Sequence, residues 1–387
     1  MKISLIGPVY PYRGGIAHHT TLLAKHLRTR HDVQLISFLR QYPERLFPGH
    51  TDRDPSTAPL RVDASFALDP LNPLTWWNVA KQIQAWAPDV VILPWWVPFW
   101  AMPWLGLTIL IRSRTKAKIL FICHNVFPHE KDSQIIRFLT RLVLSRGDII
   151  IVHATEELRK LESLVSRKLV VCTPLPTYAE LGRESEADFK TRDPEKIRAR
   201  IGLSLLHPNT HLLLFFGFVR PYKGLSVLLE AMPLIIAHIP VHLLVVGEIW
   251  GSSDKYRAQI ARLGLAEHVT LVNQYVPNER LSDYFKAAEV VVLPYLTATQ
   301  SAVVQLAFGY GVPVITSRVG GLSEVVQDGE TGLLVRPGDP DALAQAVIRF
   351  FRENMQENMR TKILADQDRF DWRRFVEKIE WAVARSK

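Results

Sequence analysis

The chain has 387 residues, 48% of them hydrophobic, and a formal net charge of +9. That length and apolar content are too much for one typical domain and predict two, each of about 150 to 200 residues. The charge excess lies almost wholly in the first half, with 23 Lys and Arg against 15 Asp and Glu through Ser185 and 24 against 23 beyond it. No basic run with interleaved aromatics, zinc-finger spacing or RNA-binding signature accompanies it, so nucleic acid is not an expected partner, and an anionic membrane surface stays open beside simple solubility.

The opening "MKISLIGPVYP" reads as a first strand rather than a signal peptide. Further apolar runs follow in "DVQLISF", "DVVILP", "AKILFICHN", "DIIIVHA" and "KLVVCTP", separated by helix-like stretches such as "GIAHHTTLLAKHLRTR" and "SQIIRFLTRLVLS". Near-continuous apolar strands alternating with helices predict a parallel sheet covered on both faces. Cys123 and Cys172 sit inside two of these runs, where buried free thiols are expected, with no disulfide framework and a reducing, cytoplasmic setting. From Val90 to Ile111 there are 22 residues without a charge, long enough to span a membrane as a helix. Pro94, Pro98 and Pro103 argue instead for a strand, a Trp-rich loop and a helix. For Trp95, Trp96, Trp100 and Trp104 two readings stay open: a surface for a membrane or an apolar acceptor, or packing against the next helix.

Residues 179–198 are polar and charged and predict a linker containing a short helix. The second half then repeats the pattern with "HLLLFFG", "VHLLVVGE", "HVTLVNQ", "EVVVLPY", "VPVITS" and "TGLLVRP". The fold class expected is α/β, two doubly wound Rossmann-like domains whose parallel sheets face across a cleft, where open sheets bind ligands at their carboxyl ends. Just past "HLLLFF" comes "GFVRPYKG", in which Gly217 and Gly224 permit sharp turns, Pro221 stiffens the loop, and Arg220 and Lys223 offer a fork and a point charge suited to a diphosphate. After "EVVVLPY" the small loop "LTATQ" leads into a helix starting near Ser301, whose free N–H groups form a second anion site.

These features resemble glycosyltransferase family 4, a retaining, metal-independent group with the GT-B fold. The resemblance runs through "PYRGGIAHHTTLLAKHLRTRHDVQLIS", "CHNVFPHE", "FFGFVRPYKGLSVLLEAM", "YFKAAEVVVLPY" and "GYGVPVITSRVGGLSEVVQDGETGLLVRPGDPDALAQAV". It implies an acceptor-side domain over 1–178, a nucleotide-sugar domain over 199–367, and a last helix within 368–387 that returns to the first domain and is anchored by Trp372. It further implies transfer of a sugar from a UDP- or GDP-linked donor to a glycan or lipid-linked acceptor, in polysaccharide or glycolipid synthesis at the cytoplasmic face of the membrane. No metal or other cofactor is implied.

Residue by residue, Arg220 and Lys223 take the positions of the diphosphate-binding cations, and Gly14 and Gly15 those of the loop that closes over the donor. His124 takes that of the residue contacting the transferred sugar, and His19, with Asn125, Trp95 and Trp96, lies on the acceptor side. Gly217, Thr299, Gln300, Ser301, Ala302 and Val303 belong to the donor loops, with Glu248 and Glu324 as further candidates. His129 and Glu130 do not have the spacing of a zinc helix motif, and Pro128 would interrupt a helix there. One departure stands out: many family members carry two glutamates eight residues apart, and the matching positions here are Ala298 and Leu306. Gln305 adjoins the second, but one helical step turns a side chain by about 100°. The chain thus resembles a branch without the paired glutamates. A catalytically weak nucleotide-sugar scaffold and a GT-B epimerase remain the alternatives to an active transferase.

Overall fold

The protein is described here by a computed structural model covering residues 1–43, 49, 51–128, 133–165, 168–182 and 194–386. Residues 183–193 of the expected linker, with His129 and Glu130, lie outside them. The chain divides into two compact units, one of Met1–Asp54, Leu60–Pro176 and Phe370–Lys387, the other of Pro55–Pro59 and Thr177–Arg369.

In the N-terminal unit the elements run β1 (Lys2–Ile6), α1 (Gly15–Leu27), β2 (Asp32–Phe38), β3 (Ser65–Leu68), α2 (Pro73–Trp86), β4 (Val90–Trp95), α3 (Ala101–Arg114), β5 (Lys118–Cys123), α4 (Gln134–Leu144), β6 (Ile149–Val152), α5 (Thr155–Leu164) and β7 (Leu169–Cys172). The seven strands form one parallel sheet ordered β3-β2-β1-β4-β5-β6-β7. Its strand order reverses between β1 and β4, the switch point at which such sheets open a crevice. Right-handed crossovers put α1 on one face and α2, α3 and α4 side by side on the other.

The C-terminal unit runs α6 (Pro194–Arg200), β8 (His211–Phe216), α7 (Leu225–Ile236), β9 (Val241–Val246), α8 (Asp254–Arg262), β10 (Val269–Val272), α9 (Leu281–Ala287), β11 (Val290–Leu293), α10 (Ala302–Gly309), β12 (Val314–Ser317), α11 (Leu322–Val325), β13 (Gly332–Val335), α12 (Pro340–Arg352) and α13 (Gln356–Ala365). Six parallel strands are ordered β10-β9-β8-β11-β12-β13, with the switch point between β8 and β11. The chain then returns to the N-terminal unit as α14 (Trp372–Arg385), which packs on α1 and lays Trp372 flat on His26, ring centroids 5.5 Å apart. Glu380 of α14 receives His31 at 2.7 Å and Arg30 at 3.0 Å.

The uncharged stretch from Val90 resolves into β4, a 3₁₀ turn at Pro98–Trp100 and α3. Among the described residues no helix is long and apolar enough to cross a membrane. The indoles offer no surface to a bilayer or an acceptor: Trp95 is 1% and Trp96 7% exposed, and Trp100 and Trp104 are fully buried. Trp100 stacks on Phe38 at 4.3 Å and on Trp104 at 5.0 Å, while Trp96 donates its N–H to the Tyr42 hydroxyl at 2.7 Å. A second correction concerns Cys172, which is exposed because β7 is an edge strand; Cys123, on an inner strand, is buried. Replacing Trp100 by Ala removes the middle of the ring stack and is predicted to cost about 3–5 kcal/mol in urea unfolding; a cost below about 1 kcal/mol would mean that these indoles are not core.

Candidate functional site

At the β8–β11 switch point two loops meet. The first leaves β8 at Gly217, whose φ of +99° admits only glycine comfortably, and turns through a 3₁₀ segment at Pro221–Lys223 into Gly224, the N-cap of α7. Gly224 also has positive φ, and a Cβ there would collide with the carbonyl oxygen of Pro294 in the second loop. A Cβ on Gly247 would strike the carbonyl of Gly217 in the same way. These three glycines let three strand ends crowd together. The second loop follows β11 and is joined to the first by Leu296, whose N–H donates to the Tyr222 carbonyl at 2.7 Å.

The crowding brings the charged and capping groups into one place. The Lys223 Nζ and a Val303 methyl stand 3.2 and 3.1 Å from where a Gly217 Cβ would be. Lys223 also lies 5.4 Å from the centre of the Tyr295 ring, and the Tyr295 hydroxyl is 3.4 Å from the Ser301 hydroxyl. Ser301 is the N-cap of α10, its oxygen accepting from the Val304 N–H at 3.4 Å. The remaining first-turn N–H groups, those of Ala302 and Val303, point to the same end of α10 as the cap. Arg220 rests on the Trp250 ring at 4.8 Å and the Tyr222 ring at 5.4 Å.

Among the described residues no hydrogen bond or ion pair reaches the Lys223 ammonium. Burial pushes its pKa down, and the Arg220 charge adds to that fall against an opposing effect of Tyr222. Burial likewise raises the Tyr295 phenol to about 12, leaving it a neutral hydroxyl. Glu248 is buried at the start of the loop beside Gly247, and its carbonyl accepts from Val219 N–H at 2.9 Å. Thr299 is buried and holds Gly321 N–H through its carbonyl at 3.1 Å, Gln300 is half-buried, and Glu324 is exposed on α11.

In the N-terminal unit Gly14 (φ +100°) caps α1 and Gly15 begins it, with no side-chain cap. His19 follows on the buried face of α1, His124 comes directly after β5 and Asn125 next. The structure adds His153, at the end of β6. Its ring lies 5.3 Å from that of His124, and His19 packs edge-on to His124 at 4.7 Å, under Trp372 and Phe375 of α14. His153 Nδ1 is 3.1 Å from the Thr173 carbonyl, while the Nε2 atoms of His19 and His124 are buried without a hydrogen-bond partner. The sequence signal for His153 was its place in "DIIIVHA", a strand's carboxyl end like that of His124.

Two family descriptions match the chain, Glycosyltransferase Family 4 over residues 13–174 and Glycosyl transferases group 1 over 210–353. The chain belongs to glycosyltransferase family 4. Among curated relatives, D-inositol 3-phosphate glycosyltransferase of Acidothermus cellulolyticus is 29% identical over 246 residues, 61% of this chain and 53% of that protein. The enzyme of that name numbered 2 from Catenulispora acidiphila is 36% identical over 168 residues, 41% of this chain and 38% of the relative. The match thus spans about half the length of such relatives, or less. Among solved structures, Anabaena HepE in complex with UDP superposes with a TM-score of 0.74 at 18% identity, over 99% of this chain and 100% of that one. A Burkholderia xenovorans trehalose-phosphate synthase superposes with a TM-score of 0.71 at 13% identity, over 99% of both. These superpositions place the family 4 chain in the GT-B fold.

The departure from the usual family pattern now has a location. Leu306 is buried and Ala298 half-buried, so neither position carries a carboxylate. Gln305 is buried with both amide atoms unbonded, but it shares a helix face with Gly309, where a Cβ would meet Ala179 and Thr177. Val303, which faces Gly217, is about 200° away around the helix. Gln305 therefore does not stand in for the missing glutamate.

Burial lowers the pKa of all three clustered histidines, that of His153 to about 4. With folded-state values below the unfolded 6.5, the unfolded chain takes up protons first as pH falls. The stability they contribute is whole above about pH 6.5 and declines toward pH 4, by up to about 1.4 kcal/mol per pH unit for each histidine. Urea unfolding from pH 7 to 4.5 is predicted to show this decline, and His153→Gln to make it shallower by about one proton; an unchanged slope would contradict a neutral, buried His153.

Proposed function

We propose that the chain is a retaining glycosyltransferase that moves a sugar from a nucleoside-diphosphate sugar to an acceptor hydroxyl, in the assembly of a cell-surface polysaccharide or glycolipid. The observation that carries this reading is the half-buried Lys223 ammonium, with no carboxylate paired to it among the described residues, beside Arg220 and the Ser301-capped end of α10. A partly desolvated cation without a carboxylate favours an arriving anion. A diphosphate supplies the charge that this site lacks. The binding of UDP by HepE supports a uridine nucleotide.

In the reaction the bond between the anomeric carbon and the diphosphate breaks, and the diphosphate leaves with the bonding pair. Arg220, Lys223 and the N–H groups of Ala302 and Val303 stabilise the charge that develops on it. The acceptor hydroxyl attacks from the same face, and the departing phosphate oxygen takes its proton, so no strong protein base is required. His124, held neutral by burial, contributes a hydrogen bond to a sugar hydroxyl. Ala298 and Leu306 favour a second reading, a nucleotide-sugar-binding protein with weak turnover, since the groups that hold ribose and sugar in many relatives are missing.

Calorimetry with UDP, GDP, ADP and TDP is expected to find one that binds. Lys223→Ala then weakens it at least tenfold, and Arg220→Ala lowers kcat by about 10²–10³. Unchanged turnover in Arg220→Ala would refute leaving-group stabilisation, and tight binding with no turnover on any donor would favour the second reading. Dialysis against EDTA is predicted to leave turnover unchanged. Among the described residues, His19, His124 and His153 are the one group of three with ligand nitrogens close enough for a metal, within 4.8 Å, so a metal-dependent loss would direct attention there.

A further inference from the structure

The buried indoles leave a different surface for a membrane. Helices α2, α3 and α4 lie side by side over one face of the N-terminal sheet, and large apolar side chains stand among the polar and basic ones on their exposed side. Seven of the fifteen large hydrophobic side chains exposed among the described residues are on these helices or at the entry to α2: Leu71, Leu74, Trp77, Met102, Ile109, Ile135 and Phe138. Leu74 is 74%, Ile135 72% and Phe138 64% exposed. Such clustering marks an interaction surface, whereas singly scattered apolar residues mean little.

Between α2 and α3 the same side is grooved. Gly106 brings the helices together, since a Cβ there would come within 2.6 Å of the Trp76 ring. Above that contact Leu74, Trp77, Ile109 and Leu110 line a shallow groove of ≈ 530 Å³.

Charge identifies the partner. The three helices carry Lys81, Arg112, Arg114, Arg137 and Arg141 and not one Asp or Glu. The neighbouring α5 has Glu156, Glu157 and Glu162, so the acid-free zone ends at α4. Arg112 is held by Asp148 at 2.7 Å. Arg114 lies 3.8 Å over the exposed Trp77 ring, which Lys81 also approaches at 5.7 Å, and Arg137 and Arg141 flank Phe138 on the exposed side of α4. Apolar side chains that enter the acyl boundary, ringed by cations at headgroup level, match a surface of anionic lipid.

We propose that the outer face of α2, α3 and α4 docks this protein onto an anionic bilayer, with Leu74, Trp77, Ile135 and Phe138 entering the lipid and Lys81, Arg137 and Arg141 meeting the headgroups. The inference rests on exposure and charge within one unit and does not depend on the donor or the reaction.

Flotation of the full chain with vesicles tests it. Partition onto vesicles with about 30% phosphatidylglycerol is expected to exceed that onto pure phosphatidylcholine at least tenfold at low salt and to fall at high salt. Ile135→Ser with Phe138→Ser is expected to lower it about tenfold, and Arg137→Gln with Arg141→Gln to remove most of the preference for anionic lipid. Every substituted side chain is exposed, so an unchanged urea midpoint separates lost docking from lost folding. Equal binding to the two vesicle types, or undiminished binding by the Ile135/Phe138 variant, would overturn the proposal. Sedimentation showing a dimer that this variant dissociates would also overturn it, assigning the face to a second copy of the chain.

Discussion

A half-buried ammonium that meets no carboxylate among the described residues is the constraint around which the C-terminal site is organised. Lys223 reaches its place because Gly217, Gly224 and Gly247 let three strand ends approach more closely than any side chain would permit. Tyr295, Ser301 and the first turn of α10 then close around it with neutral or partly positive groups. Each of these choices leaves the Lys223 charge unneutralised by the groups around it. The lowered Lys223 pKa is that partial desolvation expressed as proton affinity.

Much of this was legible in the sequence, because parallel strands buried on both faces read as unbroken apolar runs. All six strands of the second sheet stand out in that way, as do six of the seven in the first. The missing one, β3, is a four-residue edge strand with two exposed positions and pairs with β2 alone, so neither length nor pattern marks it. The Arg220–Lys223 loop and the Ser301 cap were visible because glycine, proline and a helix start punctuate the chain there. Tyr295 carried no such mark and His153 only its place after a strand; what recruits them is the convergence of strand ends, which only the sheet order specifies.

The surface of the N-terminal unit shows the opposite limit. Four tryptophans within ten residues draw the eye, yet local apolarity does not distinguish a core from a membrane face, and the Phe38–Trp100–Trp104 stack takes them inside. The apolar residues left outside are spread thinly over three helices, among Asn, Gln, Lys and Arg, and are brought together only because those helices lie side by side. Loss of the paired carboxylates at Ala298 and Leu306 is equally plain in the sequence.

If charge on the diphosphate dominates recognition, the nucleoside that binds best as its diphosphate should bind far more weakly as the monophosphate and scarcely at all uncharged. Calorimetry comparing these three forms of one nucleotide with the wild-type chain measures this directly. A fall of at least about tenfold at each lost phosphate is the result expected of Arg220, Lys223 and the α10 terminus acting together. Equal affinity for nucleoside and diphosphate would show that the base, and not the phosphates, holds the ligand, and the Lys223 site would have to be given another purpose.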